Sequence, residues 1–369
     1  MEISPNPKKY HRIKNRLFLV GLALSVLILL ALILSGFSTS LKIKLGPFAK
    51  DRILLNGLYA ACIAIIFYLL EFPLDFYEGF ILEHRFGLSC QGLGGYLKDN
   101  LKKAVISLII FLVAIEFLYL FLERFACVWW LLAAIGWFIL TVILAKITPS
   151  IFIPLFYKYI PLQDVDLKNK IMQMFSDTRI HLKDVYMIDF SKKTKKANAA
   201  LAGFGANRRV VLTDNLLKDF SHQEILSIVA HELGHYKNRD TLKIISFGFV
   251  VSMVLFFLSD IILKKTFLFF GYSLISDIAG FPLFCLTMLI LGLVSMPLQN
   301  GFTRRLETKA DLYSISVCRN PEVFISMMEK LALVNLADVQ PSKFIEIMLY
   351  DHPPIAKRIQ LARNYGKER

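Results

Sequence analysis

The chain has 369 residues, 56% of them hydrophobic, and a net charge of +14. A mean hydropathy of +0.54 excludes an ordinary soluble domain, whose composition is far less apolar. No nucleic-acid recognition motif accompanies the positive charge, so DNA and RNA are not expected partners, and the basic loops of a membrane protein explain it better.

Lys8, Lys9, Arg12, Lys14 and Arg16 precede the first uncharged run, Leu17–Phe37, which argues for a cytoplasmic N-terminus. Lys42, Lys44, Lys50 and Arg52 in the next loop vote the other way. Ile53–Leu70 is a second uncharged run, followed by an expected polar loop over Glu71–Lys103. Ala104–Leu122, broken only by Glu116, and Cys127–Ala145 complete a four-span membrane region, 1–147. A soluble α+β insertion, 148–243, should follow. It reads as a helix at Asp166–Asp177, a strand at Asp184–Asp189, and two strands, Asn198–Ala202 and Arg209–Thr213, joined by a Gly203–Asn207 turn.

Ser221 opens the next helix, with Glu224 completing a capping box and Phe220 placed to staple onto Ile225. No proline lies between Ser221 and Asp260, so this helix is expected to run on into the fifth span. Ile244–Leu263, broken only by Asp260, and Ile278–Thr303 form a two-span hairpin, 244–303, around a re-entrant or interfacial piece at Thr266–Ser276. Residues 304–369 form a polar C-terminal region. Cys62, Cys127 and Cys285 lie in or beside apolar runs without Cys-x-x-Cys spacing and read as packing residues.

The chemistry centres on His231-Glu232-Leu233-Gly234-His235. Histidines at i and i+4 share a helical face and can reach one Zn²⁺ per chain, while Glu232 can take a proton from water. A catalytic zinc needs a third protein ligand. Spans five and six return the chain to the side of His231, where Glu307 and Asp311 share a helical face. Glu307 can ligate, and Asp311 can accept a hydrogen bond from a ligand histidine and fix its tautomer. His352, ahead of two prolines, and Arg358 lie on the same side and can offer donors to an oxyanion; a loop-to-helix start is an adequate bland account of the same residues.

The ordered set of motifs resembles the type I CAAX prenyl protease family of integral-membrane zinc endopeptidases. It comprises Phe72–Tyr77 leading to Glu83–Gly87, Ile153–Lys158 with Pro161 and Leu162, Asn198-Ala199 with Gly203, and Val211–Leu217. His231–His235, Glu307–Asp311, and His352-Pro353 with Arg358 complete it. The resemblance implies a mainly α fold, a multi-pass transmembrane bundle with a cytoplasmic-side, gluzincin-like α+β zinc metallopeptidase domain. It implies His231, His235 and Glu307 as zinc ligands, Glu232 as general base, and Asp311 as a supporting partner. His352 and Arg358 would contact substrate or stabilise the oxyanion, and Asn198 with Ala199 would hold substrate backbone beside an edge strand. Glu116 and Asp260 would face water in an intramembrane chamber. Family members usually show seven spans where this sequence shows six.

The expected activity is zinc-dependent cleavage of membrane-associated peptide or protein substrates, lipidated CAAX-type ones among them, in a bacterial inner membrane or the endoplasmic reticulum. The rivals are a membrane-protein quality-control protease and a non-catalytic binding or transport protein. The run Lys192–Lys196 reads as a solvated loop, a lipid-headgroup contact, or an attractor of a substrate carboxylate.

Overall fold

A computed structural model of the chain describes residues 6–203 and 207–367. Among them, six helical stretches are long and apolar enough to cross a bilayer: Pro7–Leu34, Arg52–Arg85, Leu93–Arg124, Trp129–Phe156, Asp240–Thr266 and Ile278–Cys318. They match the six expected spans. The apolar side chains along them are widely exposed, as a lipid-facing surface requires, while Tyr59, Tyr119, Trp129, Phe256 and Phe281 fill the bundle core.

The first membrane region comprises α1 (Pro7–Leu34), the short α2 (Phe37–Leu45) and α3 (Arg52–Phe76). The expected polar loop at Glu71–Lys103 is mostly absent as a loop. A π-turn, Tyr77–Leu82, and α4 (Glu83–Arg85) extend α3, and α5 (Leu93–Arg124) begins after a connection of residues 86–92. The acidic side chains that made this stretch look loop-like are paired along one helix: Ser25 donates to Glu71 at 2.6 Å, and Lys14 meets Glu78 at 3.3 Å. After α6 (Trp129–Ile147), a π-turn, Thr148–Phe152, and α7 (Ile153–Phe156) carry the fourth span beyond the expected limit at residue 147.

The insertion is a four-stranded sheet packed on helices. β1 (Tyr159–Pro161), β2 (Asp184–Ile188), β3 (Ala199–Ala202) and β4 (Arg209–Thr213) lie in the order β1-β2-β4-β3. β2 and β4 are parallel and the other pairs antiparallel, which leaves β3 at a free edge. The interior of the expected Gly203–Asn207 turn lies outside the described residues. Gly203 itself has φ +90°, and a Cβ there would meet the Asn207 carbonyl oxygen at 2.5 Å, so only glycine fits. On one face of the sheet pack α8 (Val165–Asp177) and α10 (His222–Lys237), with Leu167, Ile171, Phe175, Val229 and Leu233 fully buried; α9 (Asp214–Asp219) leads from β4 into α10. The capping box forms as expected, and Phe220 and Ile225 are buried in the same cluster.

α10 does not run on into the fifth span. Asn238 caps it, Arg239 takes a left-handed conformation at φ 53°, and α11 (Asp240–Thr266) starts afresh. α12 (Phe281–Cys318) is 38 residues long, about 57 Å at helical rise. It outreaches a hydrocarbon core of about 30 Å, so its end enters the insertion. Three helices follow: α13 (Pro321–Val334), α14 (Lys343–Leu349) and α15 (Ile355–Lys367). The expected re-entrant piece at Thr266–Ser276 is, beyond the last residue of α11, a run of turns and bends with Phe267 and Tyr272 buried and Leu268 and Phe269 exposed.

Two further sequence expectations change. Asp260 does not face a water-filled space: its buried carboxylate accepts from Trp129 Nε1 at 2.6 Å and from Lys264 at 2.6 Å. The lysine run is largely structural. Lys193 pairs with Asp99 at 2.6 Å, Lys196 with Glu83 at 2.8 Å, and residues 88–90 exchange backbone hydrogen bonds with residues 193–195. The insertion is thereby latched to the membrane region.

Candidate metal centre

α10 and α12 run antiparallel, steps of four residues on α10 meeting steps of three and four on α12. Ser227 Oγ lies 3.0 Å from Ser314 Oγ, His231 Nδ1 lies 2.9 Å from Asp311, and His235 Nε2 lies 3.1 Å from Glu307. The i, i+4 row of α10 therefore faces an i, i−3, i−7 row of α12, which joins two motifs far apart in sequence. Gly234 permits the approach. A Cβ at that position would lie 3.1 Å from Tyr313 and 3.2 Å from the Ala310 Cα.

Ligand atoms of His231, His235 and Glu307 converge within 4.8 Å of one another. The two Nε2 atoms are 3.1 Å apart, and Glu307 oxygens lie 3.4 Å from His231 Nε2 and 3.1 Å from His235 Nε2. Each ring turns its Nδ1 toward a carboxylate: Asp311 for His231 at 2.9 Å and Asp240 for His235 at 3.1 Å. An Nδ1–H given to a carboxylate leaves the Nε2 lone pair pointing inward. Two imidazole lone pairs and a carboxylate then face one point, an arrangement that only a cation makes favourable. Glu307 Oε2 is buried without a hydrogen bond, the orphaned acceptor that such a site predicts.

The surrounding charge supports this. Asp311 is fully buried and takes a two-point contact from Arg358, through Nε at 2.8 Å and Nη2 at 2.5 Å. Arg358 thus reaches the centre, but its expected oxyanion role narrows, because two of its nitrogens hold Asp311 in place. Burial favours a neutral His231, yet the Asp311 and Glu307 carboxylates beside it win and carry it up to about 9; that proton and a metal ion would compete for the same Nε2. Sequence reasoning missed Asp240, which is 1% exposed and also holds Lys243 at 3.0 Å. The available signal was an acid five residues after the second histidine.

Glu232 stands beside the ligands, and burial pushes its carboxyl above the usual range while His231 and His235 pull it down. The Leu201 N–H of β3 lowers it as well, so the candidate base lies beside the edge strand. His352 comes to the open side of the centre with Nε2 3.3 Å from Glu307, and its Nδ1 lies 2.8 Å from Asp351. Asn198 is exposed at the start of the edge strand; its side chain accepts from the Ala199 N–H at 2.9 Å.

A membrane bundle whose last span delivers a carboxylate to a His-Glu-x-x-His helix defines a membrane metalloendopeptidase. The chain belongs to peptidase family M48, whose model matches residues 161–365. Residues 6–158 match a second model, the CAAX prenyl protease N-terminal region, described with five membrane helices; the described residues here hold four long spans in that stretch and the short α2. The uncharacterized metalloprotease YhfN of Bacillus subtilis is 30% identical over 359 residues, covering 96% of this chain and 84% of that protein. CAAX prenyl protease 1 of Saccharomyces cerevisiae is 24% identical over 333 residues, covering 82% of this chain and 70% of the relative. The crystal structure of S. mikatae Ste24p superposes with a TM-score of 0.86 at 21% identity, over 96% of this chain and 88% of that one, and shows a shared fold.

Proposed function

We propose that the metal is a single Zn²⁺ held by His231, His235 and Glu307, and that the enzyme cleaves peptide bonds of membrane-associated polypeptides on the cytoplasmic face. The observation that carries this reading is the convergence of three inward lone pairs beside Glu232. Ligand separations of 3.1 to 3.4 Å agree with the tetrahedral edge of about 3.3 Å that zinc–nitrogen bonds of about 2.0 Å require. Prenylated CAAX-type peptides, named by the yeast relative, are the first substrate class to test. Tyr10 near the start of α1 contacts Glu83 and Lys196, which supports the basic N-terminus and the insertion sharing one side of the bilayer; the five basic residues ahead of the first span favour the cytoplasm as that side.

Bound zinc supplies Lewis acidity, which eases deprotonation of water and polarises a carbonyl. The residues of the chain do the rest. An extended substrate adds to the free edge of β3 near Asn198 and Ala199, where main-chain hydrogen bonds need no particular sequence. Glu232 takes the proton of the attacking water and passes it to the leaving amine. His352 donates from Nε2 to the oxyanion of the tetrahedral intermediate, and Arg358 keeps Asp311, and through it His231, in place.

Glu232→Gln should lower kcat by about 10²- to 10⁴-fold with the zinc content unchanged by elemental analysis. Full activity in that variant would remove the general-base assignment.

A further inference from the structure

α14, which leads into the His352 turn, contains no buried residue, and its Phe344 is 70% exposed. A seven-residue helix is not stable by itself, and this one has almost no core to dock on. Polar clamps from α12 hold it instead. Asn300 Nδ2 donates to the Met348 carbonyl at 2.6 Å. Arg304 Nη1 donates to the carbonyls of Glu346 at 2.9 Å and Tyr350 at 2.5 Å. These are carbonyls at the C-terminal end of α14, where a helix leaves acceptors unmatched and favours a cation. Lys357 of α15 adds a tie to the Glu346 carboxylate at 2.6 Å.

Asn300, Arg304, Glu307 and Asp311 follow one another at spacings of four, three and four along α12, so one helical face carries the clamps, the metal ligand and the partner of His231. We infer that Asn300 and Arg304 are positioning residues that set the His352 turn against Glu307. Arg304 grips the carbonyl two residues before His352, so the distance between His352 and Glu307 is set within one rigid helix. The inference rests on the oxyanion role proposed for His352.

Full-length enzyme in detergent tests it. Arg304→Ala should lower kcat by about 10- to 100-fold, with KM and zinc content essentially unchanged, and Arg304→Lys should recover part of the loss by restoring one cationic donor. Asn300→Ala should act in the same direction. In a His352→Phe background, Arg304→Ala should add nothing further; independent, multiplicative losses would overturn the proposal. A second readout is free of turnover: in metal-stripped protein, the amides of residues 347–350, which close the last turn of α14, should lose hydrogen-exchange protection in Arg304→Ala while those of α10 keep theirs. Unchanged protection would overturn the proposal. If His352→Phe alone retains full turnover, the oxyanion role fails, and the exchange measurement still decides whether the clamps hold the turn.

Discussion

Asp240 shows how much a ligand owes to the residue behind it. It fixes His235 through Nδ1 as Asp311 fixes His231, and it is buried to 1% exposure. Asp240→Ala should weaken zinc binding by about 10- to 100-fold, measured by competition with a chelator, while Glu232→Gln should leave that affinity intact. The proposed ligands stood out because spacing of four is the signature of a helical face. Asp240 did not, since on one continuous helix a residue five beyond His235 lies off the face the two histidines share, and only the break at Arg239 swings it back. Arg358 was legible as a site residue but not in its role; spacing cannot reveal that its guanidinium would be engaged by Asp311.

At the level of elements, the contact between α10 and α12 is the part least tolerant of change. Gly234→Val would drive a branched side chain into Tyr313 and the Ala310 backbone, 3.1 and 3.2 Å from the new Cβ. Such overpacking should cost about 1–3 kcal/mol and spread the ligands, read as a lower Tm together with lost zinc. The start of α10 carries a separate pH dependence. Burial opposes the Glu224 charge, but Lys330, Ser326 and Ser221 bring its carboxyl down to about 2 from 4.5. A folded value below the unfolded one stabilises above about 4.5 and is lost as pH falls toward 2. Glu224→Gln should therefore lower Tm at neutral pH, and the gap to the parent should close through that window in thermal melts. The capping box was readable because its chemistry is local. The break at Arg239 was not, because neither glycine nor proline marks it. The long α3 was hidden for the opposite reason: its acids resemble a loop until their partners on α1 are placed beside them.

Across the whole molecule, the six spans could be read directly, since hydrocarbon imposes length and apolarity on any helix that crosses it. How the insertion attaches to the bundle could not, because it depends on pairs between distant lysines and acids. Lys196→Met would leave Glu83 and the Tyr10 hydroxyl short of a donor. It should destabilise the protein by about 1–3 kcal/mol, seen as a lower melting temperature and faster proteolytic nicking between residues 192 and 197. The split of the donor set has a consequence for biosynthesis. The histidines emerge from the ribosome before the hairpin that carries Glu307 has been threaded through the bilayer. On the proposed ligand set, a half-made chain would hold two of its three metal donors, so insertion of the final helix should be the step that completes the centre.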